Sequence, residues 1–334
     1  MAVTLKDIAK AAGVSTSAVS HILHGGNSNI RVGEVKAAEI RRVAKDLNYI
    51  PNALARGLRV NRTHIVGVLF ENFAGIDSGP LYIASLLNGV ARTVMPRHYI
   101  LAILSEVDHD DVVGSLSNGR LDGVIWCKMA RDSRVADQIR NCQIPIVAMN
   151  GRGETGSIFV ACDNRMGIEL AIDHLVELGH QRILFVNEVE EDTAPDRIER
   201  RSAFIDAMER RGLQSDTVSW DWAMSSFVEY RKAGGNHTAI IGWSERCAGQ
   251  ILVRAREIGL ELPGDLSVVG FDSTNYCETT TPRLTAIRQP IGEMAEMAAR
   301  LLLRLIDGEQ PECPPIFPCS LDVRRSTAAP RQKS

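Results

Sequence analysis

Gly13 divides the first two dozen residues into two short helical segments, and this break constrains the chain more than any other local feature. Before it, Leu5, Ile8, Ala9 and Ala12 recur at helical spacing behind Thr4, a natural N-cap with Asp7 in the capping-box position. After it, Ser15 can cap a second helix whose Val19, Ile22 and Leu23 form one apolar edge. Thr16, Ser17, Ser20 and His21 lie on its other faces, and Gly25 and Gly26 stop it. Two short helices joined by a tight glycine turn make a helix-turn-helix, which sets the N-terminal part of its second helix into a DNA major groove.

Charge supports that reading. The formal net charge of the chain is -3. Residues 1–62, however, carry ten Lys and Arg against Asp7, Glu34, Glu39 and Asp46, so this stretch is +6 and the rest is -9. Such an asymmetry fits a head that binds a polyanion. Small hydroxyls at Thr16 and Ser17 and the imidazole of His21 can reach base edges without long flexible stems. The plainer alternative makes Thr16 and Ser17 first-turn residues on a solvated face. A third helix, about residues 33–47, is expected to turn Val35, Ala38, Ile40, Val43, Ala44 and Leu47 inward and so close a small three-helix core. Arg31, Lys36, Arg41, Arg42 and Lys45 surround it, some of them suited to phosphates. Beyond Pro51, Asn52 can cap one or two helical turns, too short to be stable alone and weakened further by Gly57. This is a linker that orders only when something holds it.

From residue 63 onward, apolar strands alternate with amphipathic helices. Strands are expected at 65–70, 100–104, 124–126, 144–149, 183–186, 238–241 and 266–271, and helices at 81–97, 165–178, 198–211 and 246–258. Repeated βα units build parallel sheets with helices on both faces and bind ligands beyond the strand C-termini. The longest apolar runs fall well short of the roughly 20 residues that cross a bilayer, and the first ten residues lack a secretory signal, so a cytoplasmic address is expected. Seven scattered cysteines without a C-x-x-C pair argue for reduced thiols rather than disulfides or zinc.

The helix-turn-helix, third helix, Tyr49-Ile50-Pro51-Asn52, Ala55-Arg56-Gly57-Leu58-Arg59 and following strand together resemble the LacI/GalR family of bacterial transcription regulators. The resemblance continues through Asp163-Asn164-Arg165-Met166-Gly167, residues 174–180, residues 267–272 and Pro282-Arg283-Leu284-Thr285. It implies an α/β protein with a three-helix DNA-binding head at 1–50, a hinge at 51–62 and a two-lobed, periplasmic-binding-protein-like sensor at 63–334. Lobe 1 would span about 63–162 and 289–320, and lobe 2 about 163–288. It further implies a homodimer on a palindromic operator. Thr16, Ser17 and His21 would read the major groove, and Asn52, Ala55 and Leu58 would lie in the hinge, with Leu58 as an apolar wedge in the minor groove.

For the effector, carry-over and chemistry meet at Arg200 and Asp272. Arg200 stands in Arg-Arg-Ser-Ala-Phe, like the family's Arg-x-x-Gly-Phe, and its guanidinium can donate two parallel hydrogen bonds to vicinal hydroxyls. Asp272 follows a strand and can accept from hydroxyls. Alternatively the two pair with each other or cap an adjacent helix. Trp222 matches the family's ligand-stacking aromatic, with core packing as its rival reading. Tyr82 and Asp163 complete the set, although Asp163 also serves simply as a helix cap. Ser244-Glu245, where many relatives have Asn-Asp, is expected to reshape one corner of the cleft. The ligand implied is a sugar or sugar derivative.

Other motifs fail on context. Gly151-x-Gly153-x-x-Gly156 precedes a strand rather than a helix, and His174 and His180 are six apart with no third metal ligand. With no Walker loop or nucleophile elbow, neither a cofactor, a metal nor an enzyme is expected. A sugar-transport receptor shares the two-lobed plan but has no use for a basic head, and a doubly wound enzyme would need a catalytic motif absent here.

Overall fold

The computed structural model describes residues 3–24, 31–50, 62–70, 81–104, 108, 110–127, 138–139, 141–151, 158–187, 195–219 and 225–331. They separate into two compact units, Met1–Thr63 and His64–Ser334.

In the first unit, helix α1 spans Leu5–Ala12. The Thr4 N–H and hydroxyl donate to Asp7 Oδ2 at 2.8 and 2.7 Å, which holds the Asp7 carboxyl below its usual range. Gly13 ends the helix at φ 64°, a left-handed conformation that costs glycine little. Helix α2, Thr16–His24, starts where Ser15 Oγ accepts from the Ala18 N–H at 3.1 Å. Helix α3 runs Glu34–Asp46. Ile8, Val19 and Ile40 are fully buried at the centre of this unit. The core differs from the sequence expectation at four places. Val35 is 87% exposed, Ala38 and Leu47 are also exposed, and Ser20 is buried. At 100° per residue, Ala37, Ile40 and Ala44 share one stripe with Val43 at its edge, whereas Val35 lies 200° from Ala37, on the opposite side. Ser20 is small enough to tuck beside Val19.

The second unit holds two sheets. The first joins β1 (Ile65–Phe70), β2 (Ile100–Leu104), β3 (Gly123–Cys127), β4 (Ile146–Met149) and β5 (Ile158–Val160) in the order β2-β1-β3-β4-β5, all parallel. Helices α4 (Leu81–Val94) and α5 (Val112–Leu116) belong to this half. The chain then enters α6 (Asn164–Glu177) and builds the second sheet from β6 (Ile183–Asn187), β7 (Asp216–Ser219), β8 (Ala239–Gly242), β9 (Ser267–Asp272) and β10 (Thr285–Arg288). Between them lie α7 (Pro195–Arg210), α8 (Ser225–Lys232), α9 (Glu245–Glu257) and α10 (Tyr276–Thr279). Strands buried on both faces, such as β3, β4, β6 and β9, read as continuous apolar runs because helices cover both sides.

After β10 the chain returns to the first half as α11 (Ile291–Ile306), which packs on α4. The approach is close: a Cβ at Gly89 would stand 2.6 Å from the Gly292 carbonyl oxygen and 2.8 Å from Ala295 Cβ. A third crossover follows, absent from the sequence reading. Phe317 bridges Cys162, and β11 (Ser320–Asp322) then joins the second sheet antiparallel to β10, Ala286 facing Asp322. The final order is β11-β10-β9-β8-β6-β7. Short β7, β10 and β11 escaped the sequence reading, as did α8 and α11, whereas β5 is the strand expected after Gly156.

All seven cysteines are free. Among the described residues no helix is long and apolar enough to cross a membrane.

Candidate functional site

Two places on the chain concentrate recognition chemistry. In the first unit, capping by Ser15 puts Thr16 and Ser17 in the opening turn of α2, where both are exposed, while His21 is half-buried one turn later. Burial of Val19 against Ile8 and Ile40 fixes which face of α2 is left outside. Arg31, Arg41, Arg42 and Lys45 are exposed, with Arg42 paired to Asp46 at 3.3 Å and Lys36 to Glu39 at 2.7 Å. Asn52, Ala55 and Leu58 lie outside the described residues, as does Trp222.

In the second unit, Arg200 is the organising side chain. It is 1% exposed, and its Nε donates to Asn164 Oδ1 at 2.8 Å while Nη1 donates to the Trp243 carbonyl at 2.7 Å. Asp272 Oδ1 lies 3.7 Å from Nη1 and Asp196 Oδ2 3.8 Å from Nη2, and the guanidinium carbon sits 3.5 Å above the Phe271 ring. Burial opposes the charge, but these two carboxylates outweigh it, so the Arg200 pKa is raised. One arginine thus ties the ends of β8 and β9 to the start of α6. The Arg200–Asp272 ion pair, one of the two sequence readings, is made. Nη2 is buried without a hydrogen-bond acceptor among the described residues.

Asp272 is also held from its other side, because the Gln289 amide donates to Oδ1. Gln289 Oε1 in turn accepts from the Cys162 thiol at 3.4 Å. Asp272 and Ser273 have φ of 98° and 49°, an unusual pair for residues other than glycine, and neighbouring groups pin them there. Tyr82, on the opposite half, is buried and its hydroxyl accepts from the Asn150 amide. Its pKa is driven well above normal by burial first, then by the charges around it, Asp196 and Asp272 among them. Asn150 Oδ1 is buried with no hydrogen-bond partner among the described residues. Trp243 lies beneath the Arg197 guanidinium, 4.3 Å from centroid to Cζ.

Asp163 caps α6, its Oδ1 accepting from the Met166 N–H at 2.9 Å. Ser244 likewise caps α9. Glu245 corrects the expectation that it reshapes the cleft. It is fully buried and turns to the loop after β9, accepting from the Thr274 N–H at 2.7 Å, the Thr274 hydroxyl at 2.5 Å and the Cys277 thiol at 3.3 Å. Burial, with the charge of Asp272 second, pushes its pKa up to about 7. It is a positioning residue for the Asp272 turn. Asn164, Asp196, Asn150 and Gln289 were not singled out from sequence. Asn164 and Gln289 flank the two expected crossovers, which was the available signal; Asn150 and Asp196 carried none.

Comparison with known proteins adds to this geometry. Residues 4–52 match the model for bacterial regulatory proteins, lacI family, and residues 172–327 match a periplasmic binding protein-like domain. The chain is 30% identical over 305 residues to the uncharacterized HTH-type transcriptional regulator YvdE of Bacillus subtilis, covering 90% of this chain and 92% of that one. It is equally 30% identical over 317 residues to the ribose operon repressor of Escherichia coli K12, with 91% and 93% covered. Its fold superposes on a lac repressor dimer bound to operator and the anti-inducer ONPF with a TM-score of 0.83, at 23% identity, covering 98% of this chain and all of that one.

Proposed function

The chain belongs to the lacI family of bacterial regulatory proteins, and from that premise we propose how its own residues divide the work of a ligand-responsive transcription regulator. It is a DNA-binding regulator rather than an enzyme. Thr16, Ser17 and His21 on α2 read base edges in the major groove of an operator half-site, and the exposed arginines and lysines of the head contact phosphates. Asn52, Ala55 and Leu58 form the hinge, with Leu58 levering between base pairs. The protein acts in the cytoplasm, as a homodimer whose two-fold axis sets the half-site spacing.

Arg200 and Asp272 carry the effector assignment. A buried arginine that joins two strand ends, held by carboxylates and with one nitrogen without an acceptor among the described residues, is poised to exchange protein bonds for those of a ligand hydroxyl. Tyr82 and Asn150 face this cluster from the other half, Trp222 supplies a stacking face, and Asp163 sets the start of α6 against it. The ligand is a small carbohydrate, the class implied by the name of the ribose operon repressor. Outcome at the promoter is repression, released or reinforced as the ligand shifts the population of lobe arrangements.

A fluorescence-anisotropy titration of operator duplex against a panel of pentoses, hexoses and disaccharides tests this reading. At least one sugar should shift operator affinity, and Asp272→Asn should remove that shift with operator affinity itself retained. A full response in Asp272→Asn would withdraw the pocket assignment.

A further inference from the structure

The second unit is acidic, -9 over residues beyond the head. Against that background, four arginines gather on one open groove of about 650 Å³ along the edge of the second sheet, Arg283, Arg288, Arg324 and Arg325. Glu278 and Asp322 are the two carboxylates in its lining, so the groove is positive by two charges. Those acids are already engaged. Glu278 pairs with Arg324 at 2.5 Å and Arg283 at 3.4 Å, and Asp322 with Arg288 at 2.6 Å and Arg324 at 3.5 Å. Arg325 is exposed and makes no ion pair among the described residues.

We propose that this groove is a second binding site, one for a small phosphomonoester, separate from the Arg200–Asp272 cleft. The volume falls within the range of small-ligand sites. Guanidinium forks match the paired oxygens of a phosphate, and Arg325 with the half-exposed Arg283 and Arg288 can converge on it. A monocarboxylate would bring no more charge than the two acids it must compete with. A phosphate dianion does, and draws Arg288 away from Asp322.

The site also touches the effector cleft through one residue. Ser273 Oγ donates to Asp322 Oδ2 at 2.5 Å and accepts from Arg324 Nη1 at 3.1 Å. Ser273 directly follows Asp272, and both hold left-handed backbone. A phosphate that takes Arg288 and Arg324 from Asp322 loosens the clamp on this turn, so groove occupancy alters the pose of Asp272. This coupling rests on the effector reading above; binding in the groove does not.

Isothermal titration of the full chain with glucose 6-phosphate, with glucose as the control lacking phosphate, tests the site directly. The expected result is saturable heat for the phosphate ester, with affinity at least tenfold weaker in Arg325→Ala and in Arg288→Ala but retained in Asp272→Asn, and no dependence on either arginine for any heat that glucose gives. Arg325 makes no ion pair among the described residues, so its variant folds as the parent does. No saturable heat, equal affinity in both arginine variants, or loss in Asp272→Asn alone would each overturn the proposal, the last by placing the ligand in the cleft. Two further results would do the same: competition by a non-operator duplex, which would make the groove a DNA contact, and a change in sedimenting mass on adding the ester, which would make it a subunit contact.

Discussion

Replacing Arg200 by Met isolates what the buried guanidinium contributes, because Met keeps the unbranched apolar stem while removing every donor and the group that lies over Phe271. The variant loses hydrogen bonds of 2.8 Å to Asn164 and 2.7 Å to the Trp243 carbonyl, and it leaves Asp272 and Asp196 buried without the cation 3.7 and 3.8 Å away. Bonds of this kind to a charged group contribute about 1.5–3 kcal/mol each. Breaking a buried ion pair from one side costs about 3–5 kcal/mol, mostly as stranded charge, and the contributions overlap rather than add. The expected loss is therefore roughly 3–5 kcal/mol, a large part of the 5–15 kcal/mol typical of a folded protein. All four tryptophans, 126, 220, 222 and 243, lie in the second unit, so urea unfolding followed by their emission reports on it alone. Asp272→Asn and the double variant complete the cycle, with a coupling of about 1–3 kcal/mol expected. A loss below about 1 kcal/mol, or no coupling, would refute the claim that the guanidinium ties the strand ends together. The same magnitude explains why Asp272→Asn, rather than removal of Arg200, is the cleaner probe of ligand response.

Glu245, raised from 4.5 to about 7 by burial, favours the folded state most below pH 4.5 and gives that contribution up as pH rises through 7; the difference is on the order of 3 kcal/mol. Thermal unfolding at pH 5 and pH 8 should show this slope in the parent, and Glu245→Gln should flatten it. Gly89→Val forces a side chain against the Gly292 carbonyl and Ala295, and should destabilise by about 1–3 kcal/mol in urea melts; an unchanged midpoint would mean that α4 and α11 can separate freely. Leu58→Ala should weaken operator binding in a gel shift while sparing random duplex, and equal losses on both would remove the wedge from the hinge.

How much of this was readable in advance depended on the range of the interactions. Capping at Thr4 and Ser15, the stop at Gly13 and the frame of alternating βα units are local, set within a few residues by hydrogen bonds and periodicity, and the order of letters determined them. The contrast between a +6 head and a -9 body is likewise a property of sequence alone. Side-chain direction was less secure where a helix carries more apolar residues than its stripe can hold, which is why Val35 faces solvent and Ser20 does not.

Only the tertiary structure decided which polar groups meet. Arg200, Asn164, Trp243 and Asp272 are up to 108 positions apart, and no periodicity links them. Glu245 was visible as a departure in a motif, yet whether its extra methylene entered the cleft or braced the Thr274 turn depended on how α9 lies against β9. The third crossover, carried by a three-residue strand whose pairing comes wholly from its neighbour β10, has no local signal at all. Short-range order comes from the backbone's own bonds, whereas the site comes from long-range closure that forms only when both sheets are in place.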